Sequence, residues 1–178
     1  MRHAIVTTTE RPDLAPVTAR WRWEAFARGQ GRSLAEVTAA EVARAAGAGA
    51  LPRTFVLLAE GEPVGMASLA AHDLDTRPDL TPWLAGVFVV PHARGRGHAV
   101  RLVAAVEAEA MGLGIPALWL YTRTAEGLYA RLGWRIVETF PYRDRSYALM
   151  RRDLPVRGPS GPPAPCGRLP DGRSPHGR

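Results

Sequence analysis

Apolar residues recur with helical spacing in two segments near the start of the chain. In residues 12–28 the positions that share one helical face are Leu14, Val17, Trp21 and Ala25. The second segment, residues 34–46, follows Ser33, and Glu36 three positions later completes a capping-box pattern. Gly47 closes this segment, as glycine often does at a helix end. The pattern therefore predicts two helices before the first strand.

Six stretches that are rich in apolar or β-branched residues and bounded by turn residues are predicted to be strands. They cover residues 53–60, 63–72, 83–90, 116–122, 134–142 and 145–154. Two further helices are predicted at residues 97–112 and 125–133, and Gly133 ends the second of them. The order α, α, β, β, β, α, β, α, β, β indicates α/β or α+β packing around one central sheet.

The last stretch, residues 155–178, differs from the rest of the chain in composition. It holds seven prolines and five glycines in 24 residues, with few apolar side chains. Such a segment buries too little surface to offset its chain entropy, so we predict that it is disordered. The folded domain is expected at residues 1–154, which is long enough for one domain with a sizeable core.

Charge and cysteine content narrow the classes of function. The net charge is +6 and every basic residue is arginine, but the tail alone contributes four arginines against one aspartate. No basic run with interleaved aromatic residues marks the folded part, so we expect no nucleic-acid partner and keep binding through the tail as an alternative. The single cysteine, Cys166, excludes an intramolecular disulfide. The five histidines show no ligand-like spacing, so we expect no metal.

Signals for membranes and secretion are not found in the sequence. No apolar run approaches the ~18 residues that a membrane-spanning helix needs. The first residues, MRHAIVTTTERPD, lack the apolar core and the small-residue cleavage site of a secretory signal. We therefore expect a cytoplasmic location and no membrane partner.

The stretch VFVVPHARGRGHAV, residues 87–100, joins a predicted buried strand to a predicted helix through a glycine-rich, cationic turn. A helix that begins directly after a strand presents unpaired N–H groups and partial positive charge, which together bind anions such as phosphate. Gly95 and Gly97 let the backbone approach such an anion, and Arg94 and Arg96 add fixed positive charge. The turn therefore predicts a pyrophosphate site, with a solvated surface turn as the alternative.

Two motifs carry a resemblance to a known family. VFVVPHARGRGHA resembles the acetyl-CoA signature of the GCN5-related N-acetyltransferase (GNAT) superfamily, a strand followed by V-x-P and then R-x-x-G-x-G/A. LYARLGW, residues 128–134, is similar to the downstream L-Y-x-x-x-G-F/W segment of that family. The resemblance covers residues 3–154. It implies an α/β (α+β) fold with a central mixed, mostly antiparallel sheet, one splayed pair of strands and flanking helices.

The resemblance also implies acetyl-CoA as the co-substrate and assigns residues to it. The backbone of Val87, Phe88 and Val89 would pair with the pantetheine amides, as an added strand pairs with a sheet edge. The pyrophosphate would be held by the turn residues Arg94, Gly95, Arg96, Gly97, His98 and Ala99. Most members have an aliphatic residue at the position of His98, so its side chain is expected to pack or to face solvent.

The resemblance implies a catalytic acid but does not identify a single catalytic base. Tyr129 aligns with the family tyrosine near the thioester sulfur, where a phenol can protonate the leaving thiolate; a core tyrosine is the alternative. The base is harder to identify, because Tyr121 stands where ribosomal-protein N-terminal acetyltransferases carry a glutamate. Candidates for the base are His72, Asp73, Asp75, Asp79 and Glu24, and for each of them a solvated loop or helix charge is the alternative. Three tryptophans either wall the acceptor pocket or pack in the core: Trp21, Trp23 and Trp83.

The resulting hypothesis is an N-acetyltransferase that moves an acetyl group from acetyl-CoA to a primary amine of a small molecule, by direct attack in a ternary complex. Two alternatives are kept: an acetyltransferase acting on protein N-termini or lysine side chains, and a non-catalytic CoA-binding sensor. Acidic residues near the mouth of the site would favour a cationic acceptor. A homodimer is left open, since many relatives dimerise.

Overall fold

The computed structural model describes residues 2–47 and 51–155. These residues form seven strands: β1 (His3–Thr7), β2 (Arg53–Ala59), β3 (Glu62–Ala70), β4 (Trp83–Val89), β5 (Ala117–Thr122), β6 (Arg135–Tyr142) and β7 (Arg145–Asp153). The strands lie in one sheet in the order β1-β2-β3-β4-β5-β7-β6. Of the tail for which disorder is predicted, residues 156–178 lie outside the described residues.

The sheet is antiparallel except at one junction. β4 and β5 run parallel, while every other neighbouring pair of the described strands is antiparallel. Within these two strands the register pairing consists of Trp83 with Trp119 alone, near the start of β4. Toward Val89 and Thr122 the two strands therefore part. This confirms the mixed, mostly antiparallel sheet with one splayed pair.

Four helices flank the sheet: α1 (Ala15–Arg22), α2 (Leu34–Ala46), α3 (His98–Gly112) and α4 (Glu126–Arg131). The capping box of α2 is present, because the Ser33 Oγ accepts from the Glu36 amide and a Glu36 carboxylate oxygen accepts from the Ser33 amide at 2.8 Å. The helix predicted at residues 12–28 is one helical segment that begins in a 3₁₀ turn and widens after α1 into a π-helical turn, Trp23–Ala27.

The predicted order of elements omits β1, and this omission is wrong. His3–Thr7 pairs antiparallel with β2 along its whole length. The strand has five residues, lies at an edge of the sheet and buries none of its side chains fully. A strand with two partly exposed faces lacks the apolar alternation on which sequence-based identification of strands depends.

The main core lies where α3 packs against the central strands. Its fully buried members include Val56, Met66, Leu69, Leu102, Val106, Leu118 and Met150. A second cluster, Leu74, Leu80, Trp83 and Leu149, fills the space under the loop between β3 and β4. There the Trp83 Nε1–H donates to the carbonyl of Leu80 at 2.7 Å. The loop is thereby fixed against the start of β4, next to the point where the sheet splays.

Candidate active site

The splay of β4 from β5 opens a cleft of about 1060 Å³. Its walls come from β4, β5, α4, the segment that follows α1, the loop after β3 and the turn between β6 and β7. Val87 and Tyr129, both predicted as site residues, line this cleft. The other predicted residues, Phe88, Val89 and the turn residues 94–99, are not among its lining residues. The structure thus separates a cleft from an adjoining glycine-rich turn.

A bulge in β4 shapes the floor of the cleft. Ala85 pairs with Ser68 and Phe88 with Met66, so Gly86 and Val87 together face one residue of β3. Gly86 has a φ of +60°, and a Cβ there would lie 2.6 Å from an Nη of Arg22. Glycine suits this position, because a side chain would strain the backbone at this φ and would displace the neighbouring guanidinium.

That guanidinium is held by a buried network. The Arg22 Nε lies 2.8 Å from a carboxylate oxygen of Glu41, which is 1% exposed in α2. The Arg22 Nη2 donates to the Ser68 Oγ at 2.8 Å, and Ser68 contacts the Thr54 hydroxyl at 3.0 Å. The network ties α1 and α2 to the sheet directly beneath the cleft, so the position of Arg22 is fixed from both layers.

The glycine-rich turn has the backbone geometry of an anion site. Gly95 and Gly97 both have a φ of +75°, and Gly97 is the N-cap of α3 without a side-chain cap. The first amides of α3 therefore keep their donors for a guest. The Arg94 Nε donates to the carbonyl of Val89 at 3.0 Å, which fastens the turn to the end of β4, whereas Arg96 is exposed.

His98 belongs to this turn by its backbone and to the core by its side chain. The imidazole is 2% exposed and meets the ring of His3 edge to face, with centroids 5.2 Å apart. Burial lowers the pKa of His98, and His3 and the nearby Arg101 and Arg96 lower it further. Of the two expectations for this side chain, packing is the one observed.

Tyr129 is held on α4 at the wall of the cleft. Its ring packs edge to face on Trp134 at 6.0 Å, and the Trp134 Nε1–H donates to Glu107 on α3 at 2.9 Å. The residue is 7% exposed, and burial raises the pKa of Tyr129 to about 12. The phenol therefore stays protonated at neutral pH and can act as a hydrogen-bond or proton donor.

The structure divides the five candidate bases. Glu24, Asp73 and Asp75 line the cleft, whereas His72 and Asp79 are not among its lining residues. Asp79 instead forms an ion pair with Arg77 at the surface. Asp73 is exposed to solvent at the cleft, and neighbouring protein atoms partly desolvate its carboxylate. The resulting desolvation raises the pKa of Asp73 to about 6, opposed by Arg22 and assisted by Asp75.

The three tryptophans pack rather than wall the cleft, as far as the described residues show. Trp83 is fully buried, and Trp21 packs on Phe88 with ring centroids 5.7 Å apart. The Trp23 Nε1–H donates to the carbonyl of Arg32 at 2.7 Å, which closes the loop before α2. The cleft lining contains none of the three.

An aromatic cluster, Tyr121, Phe140, Tyr142 and Tyr147, is a feature that the sequence analysis missed. The ring centroid of Tyr121 lies 5.6 Å from that of Tyr147 and 6.1 Å from that of Tyr142. The Arg143 guanidinium lies 4.9 Å above the Tyr142 ring. Three of these tyrosines line the cleft. The available signal was YRDRSY, in which two tyrosines flank a hairpin turn.

Two other kinds of site have no candidate within residues 2–47 and 51–155. No helix there is long and apolar enough to cross a bilayer. No group of three or more His, Cys, Asp or Glu side chains there is arranged to hold a metal ion.

Comparison with known proteins agrees with this architecture. The family model described as "Acetyltransferase (GNAT) family" matches residues 16–134. No curated protein sequence matches the chain.

Solved structures share the fold at low sequence identity. yncA of Salmonella typhimurium, solved with acetyl-CoA, has a TM-score of 0.65 at 18% identity, covering 93% of this chain and 100% of its own. The ribosomal-protein-S18-alanine N-acetyltransferase of Escherichia coli has a TM-score of 0.59 at 22% identity, covering 89% and 98%. Aminoglycoside 6'-acetyltransferase type Ii has a TM-score of 0.66 at 18% identity, covering 89% and 100%.

The acceptors named for two of these proteins differ, one being a ribosomal protein and the other an aminoglycoside. Their likeness to this chain therefore concerns the fold. The family match spans the helices before the sheet, the splayed strands, the glycine-rich turn and the LYARLGW segment. On these grounds the chain belongs to the GNAT family of acetyltransferases.

Proposed function

We propose that this protein is an N-acetyltransferase that transfers the acetyl group of acetyl-CoA to a primary amine of a small molecule, within a ternary complex. The observation that carries the proposal is the cleft at the splayed strands. A carboxylate with a pKa of about 6, Asp73, and a buried phenol, Tyr129, both line it. The two groups supply the base and the acid that amine acetylation requires.

The residues that would hold acetyl-CoA fit that ligand. Its diphosphate suits the uncapped start of α3, where Gly95 and Gly97 adopt a positive φ. Its pantetheine amides suit β4 beyond Trp83, where the strand parts from β5. We assign the first role to Arg94, Gly95, Arg96, Gly97, His98 and Ala99, and the second to Val87, Phe88 and Val89. In the bound state the thioester supplies an activated acetyl group.

Two side chains of the protein, Asp73 and Tyr129, would carry out the proton transfers. Asp73 would accept the proton that the amine loses as its nitrogen bonds to the acetyl carbon. Because its pKa is raised to about 6, Asp73 is a stronger base than an ordinary aspartate yet is ionised at neutral pH. Tyr129 would donate its proton to the sulfur as the C–S bond breaks, and solvent would restore it. No protein nucleophile is needed, since holding the amine beside the thioester supplies the proximity.

The test is acetyl-CoA binding and CoA release with a panel of small amines, polyamines, aminoglycosides and peptides. Binding together with turnover of a small amine is the expected result. Turnover confined to peptides would favour a protein acetyltransferase, and binding without turnover of any member would favour a CoA-binding sensor. Absence of acetyl-CoA binding would contradict the proposal, because acetyl-CoA is the acetyl donor that it requires. The cytoplasmic location and the disorder of the tail stay predictions, and the homodimer stays an open alternative.

A further inference from the structure

The walls of the cleft carry charges of both signs. Three carboxylates line it, those of Glu24, Asp73 and Asp75. Five arginines also line it: Arg22, Arg32, Arg123, Arg143 and Arg145. Arg22 is committed to the buried Glu41 and to Ser68. Four guanidinium groups thus stand against three carboxylates, so the cleft is not an acidic site of the kind that would favour a polycation.

No ion pair joins any of these four arginines to a carboxylate of the described residues, which is also true of Arg96 and Arg101 outside the cleft. Outside the cleft, Arg11 pairs with Asp13, Arg77 with Asp79 and Glu138, and Arg135 with Asp153. At the β6–β7 turn the Arg143 guanidinium instead lies over the Tyr142 ring. A guanidinium on an aromatic face keeps its N–H edge free for a planar anion.

One aromatic side chain of the cleft, Tyr121, is influenced by charges of both signs. Burial raises the pKa of Tyr121 most strongly, the Asp73 carboxylate raises it further, and the Arg143 guanidinium opposes that effect. The carboxylate and the guanidinium therefore both act on the Tyr121 hydroxyl, within a cluster whose rings are about 6 Å apart. The turn residues 94–99 do not line this cleft, so Arg143 and Arg145 are separate from the diphosphate site.

From this arrangement we infer that the acceptor is a small amino acid, which presents its amino group to Asp73 and its carboxylate to Arg143 and Arg145. The inference rests on the proposed function and narrows it to one substrate class. Asp73, Arg143 and Arg145 line one cleft, which suits an acceptor that carries both an amine and a carboxylate. The rings of Tyr142 and Tyr147 leave an apolar surface for the side chain of the amino acid.

The test compares three acceptors that share one side chain: the free amino acid, its α-amide and the decarboxylated amine, in the methionine, leucine and phenylalanine series. The free acid should have a kcat/KM at least about tenfold above both partners, because a carboxylate bound by arginine gains charge-assisted hydrogen bonds. The α-amide is a stringent comparison, since more of its amine is neutral at pH 7.5. The α-amide also mimics the N-terminal residue of a peptide, in which an amide replaces the free carboxylate.

A double variant, Arg143→Gln with Arg145→Gln, isolates the two arginines. The preference for the free acid should fall to near unity, while the Kd for acetyl-CoA and the melting temperature stay close to those of the parent protein. Arg135→Gln is the matched control, because Arg135 pairs with Asp153 outside the cleft and its loss should leave the preference intact.

Each other outcome has its own meaning. If amides or plain amines are acetylated as well as the acids, or if the double variant keeps the preference, the inference is wrong while the proposed function stands. Turnover confined to aminoglycosides or polyamines overturns it in the same way, whereas turnover confined to longer peptides overturns both the inference and the small-molecule acceptor of the proposed function. If acetyl-CoA binds but no acceptor of either panel is turned over, the proposed function fails together with the inference.

Discussion

Asp73 and Tyr129 owe their chemical character to where the chain places them. An aspartate in water has a pKa near 4 and a tyrosine near 10, but the cleft raises the first to about 6 and burial raises the second to about 12. The raised pKa of Asp73 makes it a stronger base, while Tyr129 stays protonated at neutral pH but becomes a weaker acid than a tyrosine in water. Two variants separate their roles.

Asp73→Asn is expected to remove the acidic limb of the pH profile. With Asp73 present, kcat/KM should rise with pH through about 6, because the carboxylate accepts a proton only when it is ionised. The variant should lose most activity and show no limb near that pH. Asp79→Asn is the control, since Asp79 pairs with Arg77 outside the cleft. An unchanged limb in Asp73→Asn would assign the base elsewhere.

The same substitution has an independent effect on stability. The pKa of Asp73 is higher in the folded protein than in the unfolded chain, so the folded state binds the proton more tightly. The stabilisation that this proton provides is present below pH 4 and is lost as the pH rises through about 6. Asp73→Asn should therefore raise the melting temperature at pH 7.5 and raise it less at pH 4.5.

Tyr129→Phe is expected to lower kcat by about 10²–10⁴-fold, the usual range for loss of a general acid. The Kd for acetyl-CoA should stay within a factor of about three, because the ring and its packing on Trp134 are kept. Stopped-flow acetyl transfer and equilibrium binding measure the two quantities. A variant with normal turnover would leave Tyr129 as a packing residue only.

Helices and strands differ in how far local sequence determines them. The α2 helix occupies its predicted residues because Ser33, Glu36 and Gly47 mark its ends within a few positions. The glycine-rich turn was likewise predictable, since its motif is contiguous. β1 and the π-helical turn after α1 were not, because each depends on tertiary neighbours. The aromatic cluster escaped for the same reason, as Tyr121 meets Tyr142 and Tyr147 only across paired strands.

The turn before α3 provides a prediction at the scale of one element. Gly97→Ala forces a Cβ into a left-handed conformation, at a cost of about 1–2 kcal/mol in the free energy of unfolding. Relief of that strain would move the amides that start α3, so acetyl-CoA affinity should fall about tenfold or more.

Gly112→Ala is the matched control in the same helix. Gly112 is helical, and an added Cβ there would meet nothing within 4 Å. Alanine at such a site is neutral or stabilising by up to about 1 kcal/mol. Isothermal titration with acetyl-CoA and chemical denaturation distinguish the two variants, and equal affinities would argue against a diphosphate site at this turn.

At the scale of the whole molecule, a buried ion pair joins α1 to α2, and its arginine, Arg22, also donates to Ser68 in the sheet. Glu41→Gln leaves the Arg22 guanidinium in the interior without its carboxylate, which should lower the free energy of unfolding by about 3–5 kcal/mol. Asp13→Asn removes an exposed, solvent-screened pair and should change the free energy of unfolding far less. Urea titration of both variants measures the difference, and equal effects would mean that the network is not structurally important.

The hairpin of β6 and β7 has a consequence for how new specificities can arise. Its turn, closed by the pairing of Tyr142 with Arg145, reaches the cleft, while the glycine-rich turn sits on a different part of the chain. If the acceptor is bound where we propose, replacing residues 142–147 with the corresponding turn of another protein would change the acceptor specificity. The affinity for acetyl-CoA would stay the same. In that sense the β6–β7 turn can be exchanged while the rest of the fold, including the glycine-rich turn, stays the same.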